Sequence, residues 1–366
     1  MAWIAISDHD EQRFSLSGLG SDAGRAATQR EKLSPDTLLT RGSVLLETRL
    51  APEGRPQTLL SYRRMHPWVS GFSIQSIPNG GIAVVISQGA EVFHTALAHD
   101  GTGRGDTLRI TWSWDAPARW GRLAIERVGS DSLFLSRVDM PKPLMLADLQ
   151  VMAMDPMQRH LDPEVLFFAV SDVIEPVGPM PSLTTHVPVA TPYGYRMAGQ
   201  LKRGDLVRTA DDWSVPVLDT VRRTVPARGS FRPVRLRAPY FGLTQDIIVA
   251  PQQRLVIGGS DVEYMFGQER VLVPAGHLVN GTAAQFCAAG TTASYTQIVL
   301  PEHEAMQAPG TLLESLYLGR LRRKPDHLNA SLLCNHDRSV MPEHANPAYP
   351  VLKHFEAVTL AQKRAA

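Results

Sequence analysis

Period-two alternation of apolar and polar positions dominates the first half of the chain. Over residues 43–50, Val44, Leu46, Thr48 and Leu50 alternate with Leu45, Glu47 and Arg49. Successive side chains of a strand point to opposite faces, so a strand is predicted there. The pattern is clearest from Thr107 to Trp114, where Leu108, Ile110, Trp112 and Trp114 share one face and Thr107, Arg109, Thr111 and Ser113 the other. A turn at 115–118 leads into 120–128, with Leu123 and Ile125 on one side and Arg122, Ala124 and Glu126 on the other. Further strands are predicted at 3–6, 58–62 and 72–77, and Asn79-Gly80-Gly81 reads as a hairpin turn into 82–86. The stretch after the first strand, with Gly18, Gly20 and Gly24, has no period and reads as a loop. Residues 144–154 read as a returning last strand, and 162–174 as a short helix or strand. Many strands with regularly spaced turns predict an antiparallel sandwich.

A Pro- and Gly-rich linker, E-P-V-G-P-M-P, ends this half. Beyond it the strands are short. Val187 to Thr191 is an apolar run, Pro192-Tyr193-Gly194 supplies a fixed φ followed by a residue free to take φ > 0, and Tyr195 to Met197 returns antiparallel. A Gly204-Asp205 turn launches another strand. Leucines clustered over 311–321 and the spacing of Leu352, Phe355, Glu356, Thr359 and Leu360 predict two helices. The expected class is all-β: an N-terminal sandwich over 1–175, a linker over 176–181, a second β domain over 182–340, and a C-terminal helix and tail over 341–366.

Composition changes this picture little. With 366 residues, 43% apolar and 20% charged, two domains are expected and each is able to bury a core. The net charge of +1 argues against a dedicated nucleic-acid or anionic-membrane surface, and the arginines at 222–223 and 320–324 read as solvated turns or helix ends. Two cysteines, Cys287 and Cys334, cannot make a disulfide framework; they read as buried free thiols, the alternative being a single pair with each other in an oxidising compartment, while no His/Cys spacing suggests zinc. No metal or other cofactor is expected. The N-terminus lacks a basic segment and a long apolar run, so no classical signal peptide is expected, nor any membrane span.

The second half carries ordered blocks that resemble the Hint domain, the self-processing module of hedgehog C-terminal regions and inteins, in its bacterial form. They are A-T-P-x-G followed by L-x-x-G-D-L-V-x-T at 190–209, the strand and turn Asp246 to Leu255, V-L-V-P-A with H-L-V-N-G at 271–281, and later matches at 295–306, 314–315 and 349–357. The resemblance implies that the first residue of the domain attacks the preceding carbonyl. That position falls on Ser182, after Pro181, where many members have Cys. The family's central histidine corresponds here to Gln253, and a later one to Gln297, while His303 is retained. Glutamine hydrogen-bonds but exchanges no proton, and losing general acid–base help costs about 10²–10⁴-fold in rate. The resemblance thus implies an autoproteolytic N-to-O acyl shift at Pro181-Ser182 that is weakened or lost. Blander readings stand beside these roles: Ser182 as a linker serine among prolines, His303 as a strand-pairing histidine, and His277 as a partly buried core histidine.

The strand order of the first half resembles the laminin-G or concanavalin-A-like lectin sandwich, through strings such as V-x-L-E-T-R-L, G-F-S-I-Q and D-T-L-R-I-T-W-S-W-D. This implies a glycan or cell-surface ligand. Trp112 and Trp114 read as core, and Trp120, at a turn, as the candidate stacking platform. Two functions follow from these resemblances: a self-processing protein with a lectin-like domain, or a non-enzymatic glycan- or surface-binding protein with an inert Hint-like domain. A conventional hydrolase has no G-x-S-x-G elbow to support it, and His327, His336 and His344 sit in a polar, loop-like region. Resemblance to bacterial members implies a secreted or surface location without a classical signal, the alternative being the cytoplasm.

Overall fold

The computed structural model describes residues 3–20, 34, 37–49, 56–66, 68–78, 80–99, 106–288 and 290–365. Leu50, Gly24 and Asn79, on which parts of the sequence reading fall, lie outside them. The chain divides into two compact units, 1–178 and 179–366.

The N-terminal unit is built from two antiparallel sheets. In the seven-stranded one, Thr107–Asp115 lies between Trp120–Arg127 and Arg41–Arg49, and Val165–Ser171, Trp3–Ser7 and Gln12–Phe14 follow. The register aligns Val44, Trp112 and Leu123 across three strands, and Leu46, Ile110 and Ile125 beside them. These side chains form one core with Ile74, Val84 and Ile86 of the five-stranded sheet. The opposite face of the same three strands is buried too, and it is polar. Arg109 Nε donates to Glu47 Oε1 at 2.9 Å and lies 3.7 Å from Glu126, and the Ser43 and Ser113 hydroxyls meet at 2.8 Å.

Three readings of this half are corrected. Residues 144–154 hold only a two-residue strand, Leu144–Met145, before the helix Leu146–Met154. Its buried Leu146, Leu149, Gln150 and Ala153 recur at helical spacing, and Asp148 anchors it by accepting from the Tyr62 hydroxyl at 3.2 Å and pairing with Arg64 at 3.2 Å. The expected loop after the first strand contains the strand Gln12–Phe14, too short to show a period. Residues 162–174 resolve as the strand Val165–Ser171.

The C-terminal unit has a six-stranded and a four-stranded antiparallel sheet and two small hairpins. The predicted hairpin is present, pairing Pro188–Thr191 with Gly194–Met197, and Gly194 turns the chain at φ 107°, which a side chain would resist. Residues 311–321 are not helical. Thr311–Glu314 is a strand paired with Ala305–Ala308, and Leu316 and Leu318 lie buried beyond it. Leucine satisfies strand and helix alike, and here cross-strand pairing decides. The last helix, His354–Ala365, buries Ala357 and Leu360 in the unit's core. Both cysteines are free, but Cys334 is exposed and Cys287 half-buried, against the expectation of buried thiols. No helix among the described residues is long and apolar enough to cross a membrane.

Candidate functional site

Ser182 opens the short strand Leu183–Thr184, which runs between Ile247–Val249 and Thr292–Val299. Leu183 pairs with Val249 on one side and Thr296 on the other. The Ala250 N–H donates to the Ser182 carbonyl at 2.7 Å, fixing the backbone at the domain entrance.

Residues Ala250 to Gln253 then form a tight turn, closed by the Gln253 N–H donating to the Ala250 carbonyl at 3.0 Å. Proline at the second position supplies the φ this turn requires. The segment 275–276 straps the turn down, with Ala275 N–H on the Gln253 carbonyl and Gly276 N–H on the Pro251 carbonyl, each at 2.8 Å. A Cβ at Gly276 would come within 3.0 Å of Pro251, so glycine permits this approach. The result is that Gln253 points back at Ser182.

The Ser182 hydroxyl donates to Gln253 Oε1 at 2.7 Å. Gln297, one residue beyond Thr296, places its Nε2 at 3.3 Å from Ser182 Oγ and 3.1 Å from Gln253 Oε1. Both amides are themselves held by the main chain. Gln297 Nε2 also donates to the Glu314 carbonyl at 3.0 Å, and Gln253 Nε2 donates to the Arg254 carbonyl at 2.9 Å and the Glu314 carbonyl at 3.3 Å. Ser182 is 4% exposed, Gln253 0% and Gln297 1%, so water does not compete for these bonds.

His303 does not reach this triad directly. Its Nδ1 accepts from the Ala348 N–H at 2.9 Å, so the neutral ring carries its proton on Nε2, which lies 3.2 Å from Glu314 Oε2. The same carboxylate pairs with Arg254 at 3.3 Å. Glu314 therefore joins the two halves of the site, its carbonyl gripping both glutamine amides and its carboxylate pairing with Arg254 beside the His303 ring. Sequence reasoning assigned neither Glu314 nor Arg254 a role; Arg254 follows Gln253 directly, and that adjacency was the available signal.

His344 lies in an irregular stretch, as expected, but it is buried there, its ring 5.9 Å from that of His303. Its Nδ1 accepts from the Leu318 N–H and its Nε2 donates to the Leu300 carbonyl. His336 pairs with Asp219, and burial lowers the pKa of His327. His277 is half-buried as expected, edge-on to His354 at 4.8 Å. Trp120 belongs to the other unit; it is half-buried, with the Arg122 guanidinium 5.7 Å from its ring centre. No cluster of three metal-ligating side chains occurs among the described residues.

Burial pushes the pKa of both His277 and His344 down to about 4, the neighbouring His354 adding to it for the first and His303 for the second. An unfolded chain, with histidines near 6.5, binds more protons between these values. The stability these neutral rings contribute is thus complete above about pH 6.5 and is lost as pH falls towards 4. Urea midpoints measured from pH 7 to pH 4.5 should fall, and a His277→Phe/His344→Gln chain should show a shallower decline.

The sequence profile of the Hint domain matches residues 181–320. No curated protein matches. Among solved structures, the chain is similar to the MchDnaB-1 intein at 13% identity, covering 36% of this chain and 98% of that one, with a TM-score of 0.25. It is similar to the Ruminococcus gnavus IT-sialidase CBM40 at 10% identity, covering 40% and 92%, TM-score 0.27. It is also similar to the binding domain of botulinum neurotoxin DC, solved in complex with rat synaptotagmin II, at 10% identity, covering 85% and 83%, TM-score 0.27. With the matched profile beginning one residue before Ser182, and the turn that carries Gln253 closed against that serine, the C-terminal unit of this chain is a Hint domain over residues 181–320.

Proposed function

We propose that this Hint domain is a self-processing module whose acyl shift at Pro181-Ser182 is held off by an amide clamp. In the shift, Ser182 Oγ attacks the Pro181 carbonyl carbon, the carbon–oxygen bond forms and the Pro181–Ser182 carbon–nitrogen bond breaks. The hydroxyl proton must leave Oγ, and the departing Ser182 nitrogen must gain one. The observation that carries the reading is the 2.7 Å bond from the Ser182 hydroxyl to Gln253 Oε1. An amide oxygen is far too weak a base to take that proton, and the amide N–H groups, though they donate hydrogen bonds, are far too weakly acidic to pass a proton to the leaving group. Gln297 Nε2, donating towards Oγ, further occupies the lone pair that would attack. The nucleophile is in place and the proton transfer has no agent.

Hydroxylamine tests this, because it captures an ester and leaves an amide alone. Prolonged incubation of the full chain should give no Pro181 hydroxamate by mass spectrometry; rapid accumulation would show that the clamp does not restrain the reaction.

In this reading the N-terminal sandwich is the part a working module would release, and its role is recognition of a glycan or surface ligand, with Trp120 as the aromatic contact. A glycan array probed with the full chain tests that role, and a signal unchanged by Trp120→Ala would remove Trp120 from it.

A further inference from the structure

The net charge of +1 conceals a separation: the formal charge is −4 over residues 1–178 and +5 over 179–366. Between Asp219 and Asp246 the chain carries six arginines, Arg222, Arg223, Arg228, Arg232, Arg235 and Arg237, and no carboxylate; none occurs between Glu269 and Glu302 either. These two stretches supply most of the six-stranded sheet, including its end strand Ala284–Phe286 and the neighbouring Val234–Leu236.

At that end Arg232, Arg235 and Arg237 are exposed. The Arg232 Nε donates to the Cys287 carbonyl at 3.2 Å, with the guanidinium 5.2 Å from the exposed Phe286 ring. Arg237 Nη1 donates to the Thr282 carbonyl at 3.2 Å. Elsewhere in the unit arginines meet carboxylates, as in Arg196 with Asp205 at 2.9 Å and Arg323 with Glu343 at 2.7 Å. None of these three does so among the described residues.

We propose that this arginine face binds an extended acidic polypeptide segment. Arg235 lies on the strand Val234–Leu236 and Arg237 just beyond it, its N–H still paired to the Ala283 carbonyl, so the two share an exposed face at about 6.7 Å, the repeat of alternate side chains in another extended chain. Guanidinium forks match carboxylates in a bidentate manner, and all three cations of this face are arginine rather than lysine.

The test is fluorescence anisotropy of a labelled peptide alternating Glu and Val, titrated with the full chain at low and physiological salt. Binding should weaken with salt, as expected for exposed charges. It should fall at least tenfold in an Arg232→Ala/Arg235→Ala/Arg237→Ala chain whose melting curve is unchanged. Lysine at the same three positions should give an intermediate loss. No binding, or binding unaffected by the triple alanine change, overturns the proposal. Tighter binding of a sulfated oligosaccharide or a single-stranded oligonucleotide of equal charge overturns the choice of a peptide.

Discussion

Gln253→His should release a fragment ending at Pro181, at a rate on the order of 10²-fold or more above the unaltered chain. The turn that aims Gln253 at Ser182 is fixed by main-chain bonds from Ala275 and Gly276, so an imidazole there inherits the position facing Ser182 Oγ. Unlike the amide it replaces, it accepts the hydroxyl proton and returns one to the Ser182 nitrogen. The rate should rise through the range near pH 6.5 where histidine changes charge. Gel and intact-mass time courses read it out, and Ser182→Ala in the same background should abolish the fragment. A variant as silent as the parent would mean that the restraint lies elsewhere, for instance in the hydroxyl nucleophile itself.

Glu314→Ala should cost about 3 kcal/mol, because it leaves the Arg254 guanidinium and the buried His303 ring facing a void where a carboxylate stood. Arg254 keeps some contact with solvent, which places the loss at the lower end for a broken buried pair. For a unit of this size that corresponds to a fall in the calorimetric melting temperature of roughly 6–12 °C. Glu314→Gln retains an acceptor for the Arg254 N–H and should lose less. An unchanged melting temperature for the alanine variant would show that Glu314 is an incidental neighbour of the site.

The strands at 41–49 and 107–127 were legible because each buries alternate residues in one core, so the period is written directly into the sequence. The helix Leu146–Met154 was not, because the two residues before it pair as a strand and seven of its nine residues are apolar. In so apolar a run the helical spacing does not stand out from a buried strand. Ser182, Gln253 and Gln297 were legible through family blocks, since their positions relative to fixed turns are what the blocks encode. Glu314 escaped because its main-chain carbonyl does half of the work, and a carbonyl leaves no trace in residue identity. His344 escaped because burial came from distant strands: its flanking Glu343, Ala345 and Asn346 show no pattern, and only tertiary contact brings it beside His303. The arginine face was hidden in the same way, its charges cancelled in the total by an acidic first half.

The most direct measurement is the intact mass of the unaltered purified chain over several days at neutral pH, beside the Gln253→His chain. The account predicts that the former stays whole at 40.2 kDa while the latter divides after Pro181. Equal division of the two would contradict it.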